Sequence, residues 1–240
     1  MDRGVTRALG LVLVGVGLAL TGCGSDTSGD TSAPPGFGPL VAAVPATGEP
    51  IGDSEVLLAR LLDQTDLPAG FTPSGVSHTP ELPLGDPPPT DPAGCERVMT
   101  PLGEQRPEAR AWNFTGYEGP NFSSIDVDAA SFAADQLGPA FTAVQQTLRA
   151  CTGYRGTDAD DTGIEFRLGA LEQPPAGDAA TSYQLRTVSD GITLVTLVSV
   201  VQVGTTLTQV AVTGLDAVEP GVLTAVTGAQ VRRLRGVSGP

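Results

Sequence analysis

No lysine occurs among the 240 residues, and all 13 basic side chains are arginine, a bias that fits GC-rich coding. Against them stand 27 acidic residues, for a formal net charge of −14. A surface of that sign repels DNA, RNA and anionic headgroups, which excludes nucleic-acid binding. Histidine is reduced to His78, in GVSHTP beside a proline-rich stretch. A general base needs a nucleophile and an orienting acid, and the sequence shows neither beside His78. It reads as a solvated loop residue. No GxSxG elbow, SxxK, HExxH or phosphate-binding loop occurs after the N-terminal segment. The acidic stretch TDADDTG (157–163) starts like a calcium loop, but Gly169 stands where that loop requires a bidentate glutamate. It reads as an acidic turn. The chain is therefore expected to be non-enzymatic, with no metal and no cofactor.

Spanning helices are missing from the N-terminal region as well. Its apolar run, Ala8 to Leu20, has 13 residues, short of the ~20 that cross a bilayer. Arg3 and Arg7 precede the run, and the small residues Thr21 and Gly22 lead from it to Cys23, the three parts of an export signal. The segment Leu20-Thr21-Gly22-Cys23 resembles the lipobox of bacterial lipoproteins at all four positions. That resemblance implies cleavage before Cys23, a diacylglyceryl group on its thiol, and acylation such as palmitate on the new amino group. Two or three chains anchor stably where one does not. The competing reading is an ordinary secretory signal with a chance cysteine; charge, run length and box together favour the anchor. Cleavage would leave 13 − 2 = 11 basic and 27 − 1 = 26 acidic residues, a net charge of −15. Attachment to the extracytoplasmic face of the cell membrane then comes from the lipid.

Cysteine is scarce, with three in all. Beyond Cys23, Cys95 and Cys151 form an even pair in an oxidising compartment and are expected to be disulfide-bonded. Redox chemistry would want CxxC spacing and a metal would want more ligands nearby. The sequence divides into a signal (1–22), Cys23 with a Ser-, Thr-, Gly- and Pro-rich tether (23–52), and a folded region (53–240). Composition predicts that the tether stays free. A second proline-rich stretch, Thr79 to Gly94, is expected as a surface loop pinned by Cys95.

Within 53–240, Ser54 is placed to cap a helix carrying Leu57, Leu58, Leu61 and Leu62 on one face. Arg110 to Tyr117 and Phe122 to Val127 predict a hairpin. A helix is expected from Asp128, with Leu137, Phe141, Val144, Leu148 and Cys151 in its stripe and a kink or break at Gly138-Pro139. Alternation predicts strands over Ile164–Ala170 and Tyr183–Thr187, with Asp190-Gly191 as a two-residue hairpin turn. ITLVTLVSVVQV (192–203) is apolar on both faces, which marks a central strand covered on both sides or lining a cavity. Thr205–Thr213 follows, then a closing helix over about 216–235. The expected fold class is α+β, a mostly antiparallel sheet of about six strands with helices packed on it.

The order of DLPAGF (66–71), CERVMTPL from Cys95, RACTGY (149–154) and Gly177-Asp178 resembles the extracytoplasmic sensor domain of mycobacterial membrane serine/threonine kinases. It resembles still more the free-standing actinobacterial lipoproteins that share that domain. The resemblance implies a groove between sheet and helices that takes an envelope ligand. Kinase-linked domains commonly carry a second disulfide, which this chain lacks. Trp112, Phe114, Phe141, Phe166 and Tyr183 are the aromatics available to such a groove, although all sit on predicted core faces. Partners consistent with this reading are the membrane, through the anchor, and an envelope lipid or small molecule. The alternatives are a lipid or glycolipid carrier with an apolar cavity, and an accessory subunit of a membrane complex.

Overall fold

The computed structural model describes residues 33–75, 89–158 and 160–237. Cys23 and His78 lie outside them. Asp190 and Gly191 both adopt positive φ, 48° and 77°, and this turn joins Ala179–Ser189 (β7) to Ile192–Val203 (β8). Gly204, φ 59°, turns β8 into Thr206–Leu215 (β9). Two further hairpins are Ala111–Glu118 (β3) with Ser124–Ser131 (β4), and Gly153–Thr157 (β5) with Gly163–Ala170 (β6). With the two-residue strands Thr72–Pro73 (β1) and Thr90–Asp91 (β2), they form one antiparallel sheet in the order β1-β3-β4-β9-β8-β7-β6-β5-β2. The six strands expected from alternation are all present. The sheet has nine because β5, β1 and β2 join it, and five-residue and two-residue pieces carry too little alternation to announce themselves.

Both faces of the middle of the sheet are covered, which is why β8 carries apolar residues on both of its faces. Val198, Val200 and the β9 residue Leu207 face one core with Ala134–Ala150 (α3) and Leu102–Gln105 (α2). Leu197, Val201, Val210 and Val212 face the other, with Ser54–Leu58 (α1) and Pro220–Leu234 (α4). Leu57, Leu61 and Leu62 are buried there, and Asp53, not Ser54, caps α1 by accepting from the Glu55 N–H at 2.8 Å. Two helical expectations need correction. Asp128 belongs to β4, since its backbone pairs with Phe114 and Gln209, and the helix starts six residues later. Pro139 lies inside α3 without splitting it. Its missing N–H removes one hydrogen bond, but Leu137, Phe141, Val144 and Leu148 are buried on either side and hold the helix together.

Cys95 and Cys151 are bonded, with their Cα atoms 5.6 Å apart, and tie the 3-10 turn Cys95–Val98 to the end of α3. Next to it α2 lies so close to β3 that a Cβ on Gly103 would sit 1.9 Å from Trp112 Cγ. Gly103→Ala should therefore displace the indole and cost about 1–3 kcal/mol as an overpacking change. Trp112 is the chain's one tryptophan, so its emission spectrum checks this directly; an unmoved spectrum would contradict the contact.

The expectation of a free tether up to Gly52 is also corrected. The compact unit begins at Ala33, and 33–52 forms an extended strap across the α3 side of the sheet. Two buried glutamines act as cleats. Gln145 of α3 accepts from the Val41 N–H at 2.8 Å and donates to its carbonyl at 2.9 Å. Gln202 of β8 does the same for Val44, at 2.9 and 2.7 Å. The strap needs no apolar run of its own because these side chains satisfy its backbone and Phe37, Ala43 and Ala46 pack on the core.

Candidate functional site

Antiparallel register sets Gly116, Asp126, Ala211, Val198 and Tyr183 in one row across the sheet. The neighbouring row holds Phe114, Asp128 and Gln209, and another holds Thr213, Thr196 and Leu185. Side chains of alternate residues share a face, and here that face is the α3 side. Ala211 is too small to fill its row, whereas the position of Gly116 is already closed, since a Cβ there would meet Asp126 Oδ1 at 2.9 Å. The loop between Val98 and Pro101 roofs the gap instead of a helix. The result is a groove of about 300 Å³, with Met99 and Phe114 at its walls and the two aspartates at its floor.

Asp128 is 5 % exposed, accepts a hydrogen bond from the Leu102 N–H at 2.9 Å, and anchors the start of α2. Burial pushes its carboxyl up to about 7; the Leu102 N–H opposes this, while Asp126 and Glu104 add repulsion. Asp126 is raised too, chiefly by burial, with Ser124 Oγ donating to it at 2.8 Å. Burial likewise holds the Tyr183 phenol firmly protonated. Thr196 and Thr213 pair their hydroxyls at 3.0 Å at the same opening. Near neutral pH the Asp128 carboxyl at this floor is on the verge of ionising. The floor suits a ligand bearing hydrogen-bond donors or a cationic group, with an apolar part against Phe114 and Met99.

The structure divides the aromatics named from sequence. Phe114 and Tyr183 come together in the groove. Phe141, on the buried stripe of α3, is fully buried, and Trp112 lies under α2, so both serve packing. Phe166 stacks on Tyr154 with ring centroids 4.4 Å apart, away from the groove. Asp126 and Asp128 escape a reading by sequence alone. Their signal there is IDVD, two acids alternating with core residues. In the TDADDTG turn, Asp158 Oδ1 accepts from the backbone N–H groups of Asp160 and Thr162, both at 2.9 Å. Among the described residues no cluster of three or more His, Cys, Asp or Glu is arranged to hold a metal.

The fold is one already seen outside a cell membrane. The crystal structure of the extracellular domain of PknH from Mycobacterium tuberculosis matches with a TM-score of 0.57 at 12 % identity. The match covers 78 % of this chain and 98 % of that one. This is the fold that the landmarks from DLPAGF to Gly177-Asp178 point to, and the likeness is one of fold. No protein-family model and no curated protein matches the chain.

Proposed function

We propose that the chain is a lipid-anchored, non-enzymatic protein of the extracytoplasmic face, with a sensor-like domain that binds a small envelope ligand. One observation carries the binding role: the groove under Val98–Pro101, where two carboxyls of raised pKa sit between the walls of Met99 and Phe114. Its volume falls at the lower end of the range of small-molecule sites. The lipobox at Cys23 and the likeness of fold to an extracellular domain support the location. An acyl-chain carrier is less favoured, because the doubly apolar strand that suggested a cavity is occupied by packing on both faces.

Native mass spectrometry of residues 24–240, secreted and kept at pH 8, tests the reading. A ligand should co-purify at one per chain, be lost in Asp126→Asn, and dissociate when the pH falls to 5 and Asp128 takes up its proton. A bare mass from several envelope extracts would sink the binding role. Lipidation is tested separately, by the mass of the N-terminal peptide from membranes of expressing cells.

A further inference from the structure

The α4 side of the sheet is only half covered. Helix α4 packs on β8 and β9, and α1 packs on β3, which leaves the outer faces of β7, β6 and β5 without a helix. This open face carries Arg155, Arg167 and Arg186. Register places Arg167 directly opposite Arg186, and like charges in that position repel. Arg155 pairs with Glu165 at 3.4 Å. Neither Arg167 nor Arg186 forms an ion pair with any described residue. Arg155 and Arg167 flank Gly153 in a shallow hollow of about 310 Å³, which Asp91 and Glu165 also line. Three basic groups against two acidic ones reverse the balance of a chain with 27 acids and 13 arginines.

The strap enters on this same face. Gly169 is two residues along β6 from Arg167, so the two share a side. A Cβ on Gly169 would fall 2.4 Å from Pro34, and the Pro35 carbonyl accepts from the Ala170 N–H at 2.7 Å as the strap rounds the β6 edge. The described chain therefore begins, at Ala33, beside the arginines. From Cys23 to Ala33 is ten residue steps, at most ~35 Å even when fully extended.

We propose that the Arg155–Arg167–Arg186 face docks on anionic phospholipid headgroups, resting on the lipid-anchor reading above. Arginine forks suit phosphate, and a phosphodiester between Arg167 and Arg186 would relieve their repulsion. The chain as a whole is repelled by such a surface, so this face orients a protein already held there by its lipid and does not recruit it. Docked in this way, the domain turns α3 and its groove-bearing side toward the envelope.

The test uses residues 23–240. With Cys95 and Cys151 bonded, Cys23 is the one free thiol, and it can be coupled to a maleimide lipid in vesicles. The absence of lysine makes an arginine-selective dicarbonyl a clean footprint, read peptide by peptide. On vesicles of phosphatidylcholine with phosphatidylglycerol, Arg155, Arg167 and Arg186 should each react roughly fivefold more slowly than on phosphatidylcholine alone. Exposed Arg60 and Arg110 should not change. The protection should vanish in about 1 M salt, where screening acts within ~3 Å. Arg167→Gln with Arg186→Gln should remove the protection of Arg155. Equal rates on both vesicles would overturn the proposal, as would protection of Arg60 and Arg110 alongside the three. Protection by an added acidic protein or phosphate-bearing glycopolymer, with none from vesicles, would overturn it too. Because the anchor is supplied chemically, failure here is distinct from a failure of cells to acylate Cys23.

Discussion

Replacing both Cys95 and Cys151 by alanine should lower unfolding stability by about 4 kcal/mol. The bond closes a loop of 56 residues' separation, and the chain-entropy cost of releasing that many residues sets the figure. For a domain of this length the melting temperature should fall by roughly 8–16 °C. Both sulfurs are buried and sit in the core beneath α3, so alanine also removes packed atoms, which adds to the loss. The damage should spread to the groove, because the bonded turn leads directly into the Val98–Pro101 roof. Urea melts of oxidised wild type and the double variant measure the first effect, and ligand retention by native mass spectrometry measures the second. A loss under about 1 kcal/mol would show that burial of Val98 and Leu102 alone holds this corner.

Asp128→Asn should make the protein more stable, by an amount that grows with pH. The Asp128 carboxyl titrates at about 7 in the folded chain and near its ordinary 3.8 when unfolded. The native state thus holds a proton that the unfolded chain has released. The stability this contributes is complete below about pH 4 and is lost as pH rises through 7. Binding that proton roughly a thousandfold more tightly in the fold than outside it is worth on the order of 4 kcal/mol. Asparagine never ionises and can keep its oxygen toward the Leu102 N–H. The variant should match wild type near pH 4 and exceed it by a few kcal/mol at pH 9. Comparing the two cancels the repulsion among the chain's other acids. Parallel stability curves across that range would show that Asp128 ionises as freely in the fold as outside it. The same carboxyl joins fold to site: ionising it sharpens the groove for a cationic ligand while it strains the floor.

What could be read from sequence tracks how far each element depends on its own residues. Strands such as Gly163–Ala170 and Ile192–Val203 state their burial in their own periodicity, and Asp190-Gly191 states its turn. The strap does not, because the groups that hold it are Gln145 and Gln202, far along the chain. Gln202 is a lone amide in a largely apolar strand and Gln145 stands beside Gln146 in α3, signals that have meaning only once a backbone to receive them is known. Sequence pattern sets the start of α3 too early, at Asp128, because a capping-type residue before an apolar stripe looks alike in helix and strand. The groove is legible only in part. Phe114 and Tyr183 stand out as large, whereas the space between them comes from Ala211, whose contribution is its smallness.

The strap also has an order in time. Val41 is 104 residues from its partner and Val44 is 158 from its own, so both contacts carry a long loop to close. The first described stretch to be synthesised is not fully seated until residue 202 exists and β8 has paired. It docks after the sheet has formed, outside the folding nucleus. Weakening either glutamine would then leave the folding rate unchanged and speed the opening of the α3 side. The amide protons of Val41 and Val44 would be the first there to exchange with solvent.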